Sequence, residues 1–125
     1  MKNDLMKVYR EVCSGYDCRN NLEAWENVVR HPAPRFYIDA RRAHCRISPM
    51  LHGDKRQLEH LSPLKREMYE DLFATVLRLW QKKPFWGTSL NHVLKFAILE
   101  PAPRFYISAA RMGQIWREKT KRVKG

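Results

Sequence analysis

The sequence predicts an all-α protein built from about six helices, and three observations carry that expectation. Apolar residues recur at helical spacing in six separate stretches. Most of these stretches begin at a capping residue or stop at a proline or glycine. The hexapeptide Pro-Ala-Pro-Arg-Phe-Tyr occurs twice, at Pro32–Tyr37 and Pro101–Tyr106, and Ile follows both copies. A seven-residue identity in 125 residues is hard to attribute to chance, and it predicts two copies of one unit offset by 69 residues. Each unit is expected to run helix, loop, helix, extended segment, helix. The tandem units would span about 3–48 and 62–117, with a connection at about 49–61 and a basic tail at 118–125. Two such units pack most simply about an internal pseudo-twofold, as one compact domain of a size that can bury a core.

The elements follow in order. Leu5, Val8, Tyr9 and Val12 form one apolar stripe, on a helix ending near Ser14-Gly15. Asn20 or Asn21 caps a second helix, with Glu23 as the capping-box partner of Asn20 and with Leu22, Trp25, Val28 and Val29 inward. Pro32 and Pro34 stop it, because proline lacks the N–H donor and pushes the preceding residue away from the helical region. Pro-Arg-Phe-Tyr-Ile then reads as extended, with Phe36 and Ile38 on one side and Arg35 and Tyr37 on the other. Asp39 caps a third helix, with Ala40, Ala43 and Ile47 inward and Arg41, Arg42 and Arg46 largely outward. Residues from about Ser48 to Leu61 carry Pro49, Gly53 and many charges, and read as a connection containing a short turn at Leu58 and Leu61.

Ser62-Pro63 is a helix start, cap followed by proline at the first helical position. Leu64, Met68, Leu72, Val76, Leu79 and Trp80 line one face of the long helix that follows, to about Lys82. Phe85, Trp86 and Gly87 form an aromatic turn after Lys82 and Lys83. Core packing is the leading expectation for Phe85 and Trp86, and an exposed ring that stacks on a base or fills a partner's pocket is the alternative. Thr88 or Ser89 caps a fifth helix through Leu90, Val93, Leu94, Ala97 and Ile98. After the second copy of the shared segment, Ser108 caps a sixth helix, whose Ala109, Met112 and Trp116 match Ala40, Ala43 and Ile47.

Charge narrows the choice of partner. Twenty-four Lys and Arg against thirteen Asp and Glu leave a net charge of +11, which predicts attraction to a polyanion, nucleic acid before an acidic protein surface. The charged start Met1-Lys2-Asn3-Asp4-Leu5 does not read as a secretory signal, no apolar run reaches membrane-spanning length, and the cysteines are odd in number. A cytoplasmic protein with reduced thiols is therefore expected, with no membrane partner.

Metal and catalytic motifs are weak. Cys13, Cys18, His44, Cys45 and His52 invite a zinc site, but adjacent His44 and Cys45 would point about 100° apart on a helix. The matching positions in the second half, Lys82, Gly87, Gly113 and Gln114, hold no ligand set. No nucleophile, base and orienting residue can be read together, and there is no glycine-rich phosphate loop. The expectation is a non-enzymatic protein without metal or cofactor.

The matched pairs Arg35 and Arg104, Tyr37 and Tyr106, and Arg42 and Arg111 lie beside helix N-termini, where guanidinium forks, hydroxyls and backbone N–H groups suit phosphates. Arg41 and Arg46 on the third helix, and Arg117, Lys119, Lys121, Arg122 and Lys124 toward the C-terminus, extend that basic set. Duplex DNA is favoured over RNA because an internal twofold suits a duplex. A small regulator or accessory factor of the kind mobile elements encode would fit. The connection between the second and third helices is about eight residues with two prolines, too long for the turn of an ordinary helix-turn-helix. The alternative is a helical protein–protein interaction or assembly module that meets an acidic partner. In that case the shared segment is a stiff corner between helices, and its arginines serve backbone carbonyls.

Overall fold

The computed structural model describes residues 1–14 and 21–124, with the exception of the side chains at 13, 14, 21, 23 and 119–124. Among these residues the protein is all-helical, with six α-helices, two short 3-10 turns and no strand. The helices are α1 (Lys2–Ser14), α2 (Asn21–Arg30), α3 (Ala40–Leu51), α4 (Pro63–Trp80), α5 (Leu90–Ala97) and α6 (Ala109–Lys124). The 3-10 turns lie at Arg56–Leu58 and Lys83–Phe85.

Caps set four of the starts. The side chains of Asp39, Ser62, Ser89 and Ser108 each accept the backbone N–H three residues on, at 2.8, 3.4, 3.3 and 3.1 Å. Each satisfies a donor that the first helical turn leaves orphaned. The capping positions Asn20 and Glu23 lie outside the described residues or side chains.

The chain forms two compact units that cut across sequence order. Unit 1 takes Met1–Ala33 and Pro103–Gly125, and unit 2 takes Pro34–Ala102. In unit 1, α6 packs on α2 and α1, over a core of Leu5, Val8, Ala24, Val28, Val29, Phe105, Met112 and Ile115. Rings of Tyr9 and Trp25 each lie 6.3 Å from that of Trp116, and Lys2 pairs with Glu118 at 3.1 Å. In unit 2, α3 packs on α5 and α4, over Phe36, Ala43, Ile47, Met50, Leu72, Val76, Leu79, Val93, Leu94 and Ala97. The helix after each shared segment thus packs on a helix pair that does not directly precede it. The hydrogen bonds agree. In unit 2 the Phe36 N–H donates to the Ile98 carbonyl at 2.9 Å, and in unit 1 the Phe105 N–H donates to the Val29 carbonyl at 3.2 Å.

Three local expectations differ. The third helix passes through Pro49 to Leu51 instead of stopping near Ser48. Burial of Met50 rewards the extra turn, and Gly53 then ends it in the left-handed region at φ 81. The Asp54 N–H reaches the Pro49 carbonyl and the Gly53 N–H the Met50 carbonyl, both at 3.0 Å. That is a Schellman closure, and it needs the glycine. Leu22, expected inward on α2, is 53% exposed, and Ala24 is buried instead. Tyr69 joins the core of α4, unforeseen because its ring interrupts the aliphatic stripe.

Candidate nucleic-acid interface

The sequence-predicted residues divide between the units. Unit 2 holds Arg35, Tyr37, Arg41, Arg42 and Arg46, whereas unit 1 holds Arg104, Tyr106, Arg111 and Arg117. Lys119, Lys121, Arg122 and Lys124 fall on α6, but their side chains lie outside the described residues.

The two arginines of the shared segment sit at corners. Arg35 is half-buried, its Nε donates to the Phe36 carbonyl at 3.2 Å, and its guanidinium lies 5.9 Å from the centre of the Tyr37 ring. Arg104 is also half-buried, with its Nε fully enclosed. Tyr37 and Tyr106 are half-buried but differ in backbone: Tyr106 has φ 58, the sole positive φ of a non-glycine among the described residues. A bulky side chain in that region strains the chain.

The helix arginines are more open. Arg41 and Arg42 are exposed at the start of α3, and the Arg42 side chain, 83% accessible, lies 3.7 Å from Asp39. Arg46 is half-buried and donates to the Gln57 carbonyl at 3.3 Å, which ties α3 to the following connection. Arg111 is exposed and bonds Gln114 at 3.1 Å. Arg117 is exposed and lies 5.7 Å from the centre of the Trp25 ring, a cation–π contact that fixes its direction.

Arg41 also lines an open groove of about 530 Å³ in unit 2, with Ala40, His44 and Cys45 from α3 and Asn91 and Lys95 from α5. Cys45 is a free, exposed thiol there. Among the described residues no group of three or more His, Cys, Asp or Glu comes together to hold a metal. The Cys18 position and the Cys13 side chain of the weak zinc pattern lie outside the described residues. No helix among the described residues is long and apolar enough to cross a membrane.

Unit 2 has an exposed aromatic surface where core packing was the leading expectation. Trp86 is 62% exposed, not core, because the 3-10 turn at Lys83–Phe85 lifts it out. Its indole N–H donates to the Gln81 carbonyl at 2.8 Å, which fixes the ring. Phe85, His92 and Phe96 form a ring cluster at 5.3–6.0 Å separations, and Phe96 is 48% exposed. The only signal in the sequence was Lys82-Lys83-Pro84 before two aromatics, a pattern that also suits a buried turn.

Comparison of the chain with protein-family models, with curated proteins and with solved structures finds no match.

Proposed function

We propose that the protein is a non-enzymatic nucleic-acid-binding protein, with duplex DNA as the favoured partner. The observation that carries this reading is a charge balance. Were every one of the thirteen acids paired one to one, eleven of the twenty-four Lys and Arg would remain. No charged residue is buried among those described, so the share of this excess that they carry lies at the surface. Such a surface draws a polyanion and releases its counterions on binding. Arg41, Arg42, Arg111 and Arg117 on α3 and α6 would contact phosphates, together with Lys119, Lys121, Arg122 and Lys124. Arg35 and Arg104 would mainly hold corners, with Tyr37 and Tyr106 adding hydrogen bonds at their edges.

The proposal includes an internal duplication of a helix–loop–helix–extended segment–helix unit. The identical heptapeptides support it, as do the matched caps Asp39 and Ser108 and the bonds of Phe36 to Ile98 and of Phe105 to Val29. Phe36 and Phe105, like Val29 and Ile98, stand 69 residues apart. A cytoplasmic regulator or accessory factor would have this character.

The test is binding of a labelled duplex across a salt series. Affinity should fall by about 0.9 log unit per log unit of salt for each phosphate contact. Arg41→Ala with Arg42→Ala should flatten that slope by about two contacts at most and leave the fold intact. Arg35→Ala with Arg104→Ala should instead lower the melting temperature. Absence of duplex binding at low salt would overturn the reading and favour the alternative, a helical interaction module for an acidic protein.

A further inference from the structure

Residues 80–99 contain three lysines, Lys82, Lys83 and Lys95, and no Asp or Glu. All three lysines are exposed. The same stretch carries Trp86, Phe96 and Leu99, three of the most exposed large apolar side chains among the described residues, at 62%, 48% and 57%. A concentration of exposed rings and aliphatic surface in a stretch whose only charged side chains are lysines is not what a solvated surface requires. It marks a contact site.

The chemistry of the occupant follows from how the rings are held. The indole N–H of Trp86 is already satisfied by the Gln81 carbonyl at 2.8 Å, and Gln81 closes α4. The Trp80 indole donates to the Thr88 carbonyl at 3.2 Å, and the Thr88 hydroxyl donates to the Phe85 carbonyl at 2.7 Å. The turn is therefore stitched at both ends, and Trp86 offers a pre-set ring without an indole donor in need of an acceptor. Phe96 is likewise braced, 5.3 Å from both Phe85 and His92. A membrane interface uses an indole whose N–H reaches the headgroups. A planar ligand instead gains from a ring whose orientation costs nothing further to fix. Lys95, the neighbour of Phe96 on α5, also lines the groove together with Arg41 and His44 of α3.

We infer that this surface of unit 2 is a stacking platform for unpaired bases of a single-stranded nucleic acid. Trp86 and Phe96 receive base faces, and Lys82, Lys83 and Lys95 take the phosphates beside them. Base stacking on aromatic rings is indifferent to sequence, so the platform adds a preference for unpaired strand without requiring a motif. The inference rests on the nucleic-acid reading above and adds a second, strand-selective surface to the duplex contacts.

The experiment compares the wild type with Trp86→Ala, Trp86→Phe and Phe96→Ala, using labelled oligothymidylate and a duplex of equal length at low salt. Trp86→Ala should weaken single-strand binding by roughly 5- to 150-fold, in line with the usual worth of one stacked base. It should leave duplex binding and the melting temperature nearly unchanged. Trp86→Phe should keep most of the affinity, and the fluorescence quenching expected of the wild type on adding oligothymidylate should be lost in both Trp86 variants. Duplex binding with unaltered single-strand binding in Trp86→Ala would overturn the platform and leave the nucleic-acid reading standing. Failure of the wild type to bind either nucleic acid would remove both. Loss of binding to phosphatidylserine-containing vesicles in Trp86→Ala, with oligothymidylate binding unchanged, would overturn the platform in favour of a lipid surface.

Discussion

In unit 1 the packing of α6 on α2 brings a large ring, Trp25, against a glycine, Gly113, whereas in unit 2 the positions 69 residues away are Leu94 on α5 and His44 on α3. A Cβ placed on Gly113 would sit 2.6 Å from the Trp25 ring, so the glycine is there because the indole fills its space. Leu94 is fully buried, and His44 lines an open groove. A large ring against a glycine is thus a feature of the helix packing in unit 1, and residues of intermediate size stand at the two corresponding positions of unit 2. The two units also place their cations differently. Unit 1 carries its cation Arg117 on the indole that fills this contact. Unit 2 keeps a groove with Arg41 and Lys95 on its walls.

The largest test of this comparison removes the phenylalanine that each shared segment contributes. Phe36 in unit 2 and Phe105 in unit 1 are both buried, and each N–H bonds a carbonyl at the end of a packed helix. Phe→Ala at either position should cost about 3–5 kcal/mol, through lost transfer energy and the cavity left behind. Hydrogen exchange should show Phe36→Ala loosening α3, α4 and α5 first, and Phe105→Ala loosening α1, α2 and α6. Equal loss of protection across all six helices in both variants would show that the units unfold together and break the distinction.

Next in size is Gly113→Ala. Alanine is the better helix former by about 1 kcal/mol, yet the Trp25 ring leaves no room for its methyl group. The expected outcome is net destabilisation by about 1–3 kcal/mol, read by thermal or denaturant unfolding. Trp25→Leu added to Gly113→Ala should recover part of the loss relative to Trp25→Leu alone, because the smaller side chain opens the space. Were Gly113→Ala stabilising, the close approach would not be a constraint and the complementary-volume argument would fail.

Much of the fold was legible because its signals are local. Asp39, Ser62, Ser89 and Ser108 are recognisable caps, each followed by helical apolar spacing, and all four act as caps in the structure. What was not legible depends on distant partners. Nothing near α3 reveals that it packs with α4 and α5, or that α6 packs with α1 and α2, since that pairing joins residues far apart in sequence. Pro49 misled because proline usually breaks a helix, while the compensation came from burial of Met50 and the glycine closure four residues later. At the candidate site the basic residues were countable, but their availability was not. Arg46 is occupied by the Gln57 carbonyl, Arg35 by its own corner, and Trp86 is outside because of a turn that no periodicity announces.

The two tyrosines of the identical segment offer a smaller test. Tyr106 adopts φ 58 and Tyr37 does not adopt a positive φ, so one sequence is held in two backbone conformations by its surroundings. Asparagine tolerates the left-handed region better than tyrosine, where the cost is about 1–2 kcal/mol. Tyr106→Asn should therefore be less damaging than Tyr37→Asn by about 1 kcal/mol, once each is measured against the matching Tyr→Phe variant. Equal losses would place the strain elsewhere.

The smallest expected effect concerns how α3 ends. In unit 2 the glycine closure after α3 is followed by Asp54, which accepts the Arg56 backbone N–H at 3.0 Å and its Nε at 3.2 Å. The Arg56 side-chain hydrogen bond, then its backbone hydrogen bond, holds the Asp54 carboxyl below its ordinary value of 3.8. A carboxyl lowered in the folded state adds stability above its unfolded pKa and loses it as pH falls through the folded value. Melting temperature should therefore drop on acidification below about pH 4 more steeply in the wild type than in Asp54→Asn, with the two converging once Asp54 is protonated. Arg56→Ala should move the Asp54 titration part of the way back up, as read by carboxyl NMR, because the backbone bond survives. The Arg56 side chain is largely in solvent and that of Asp54 partly so, and added salt should therefore shrink the difference. A wild-type curve parallel to that of Asp54→Asn throughout would show that the glycine closure alone ends α3.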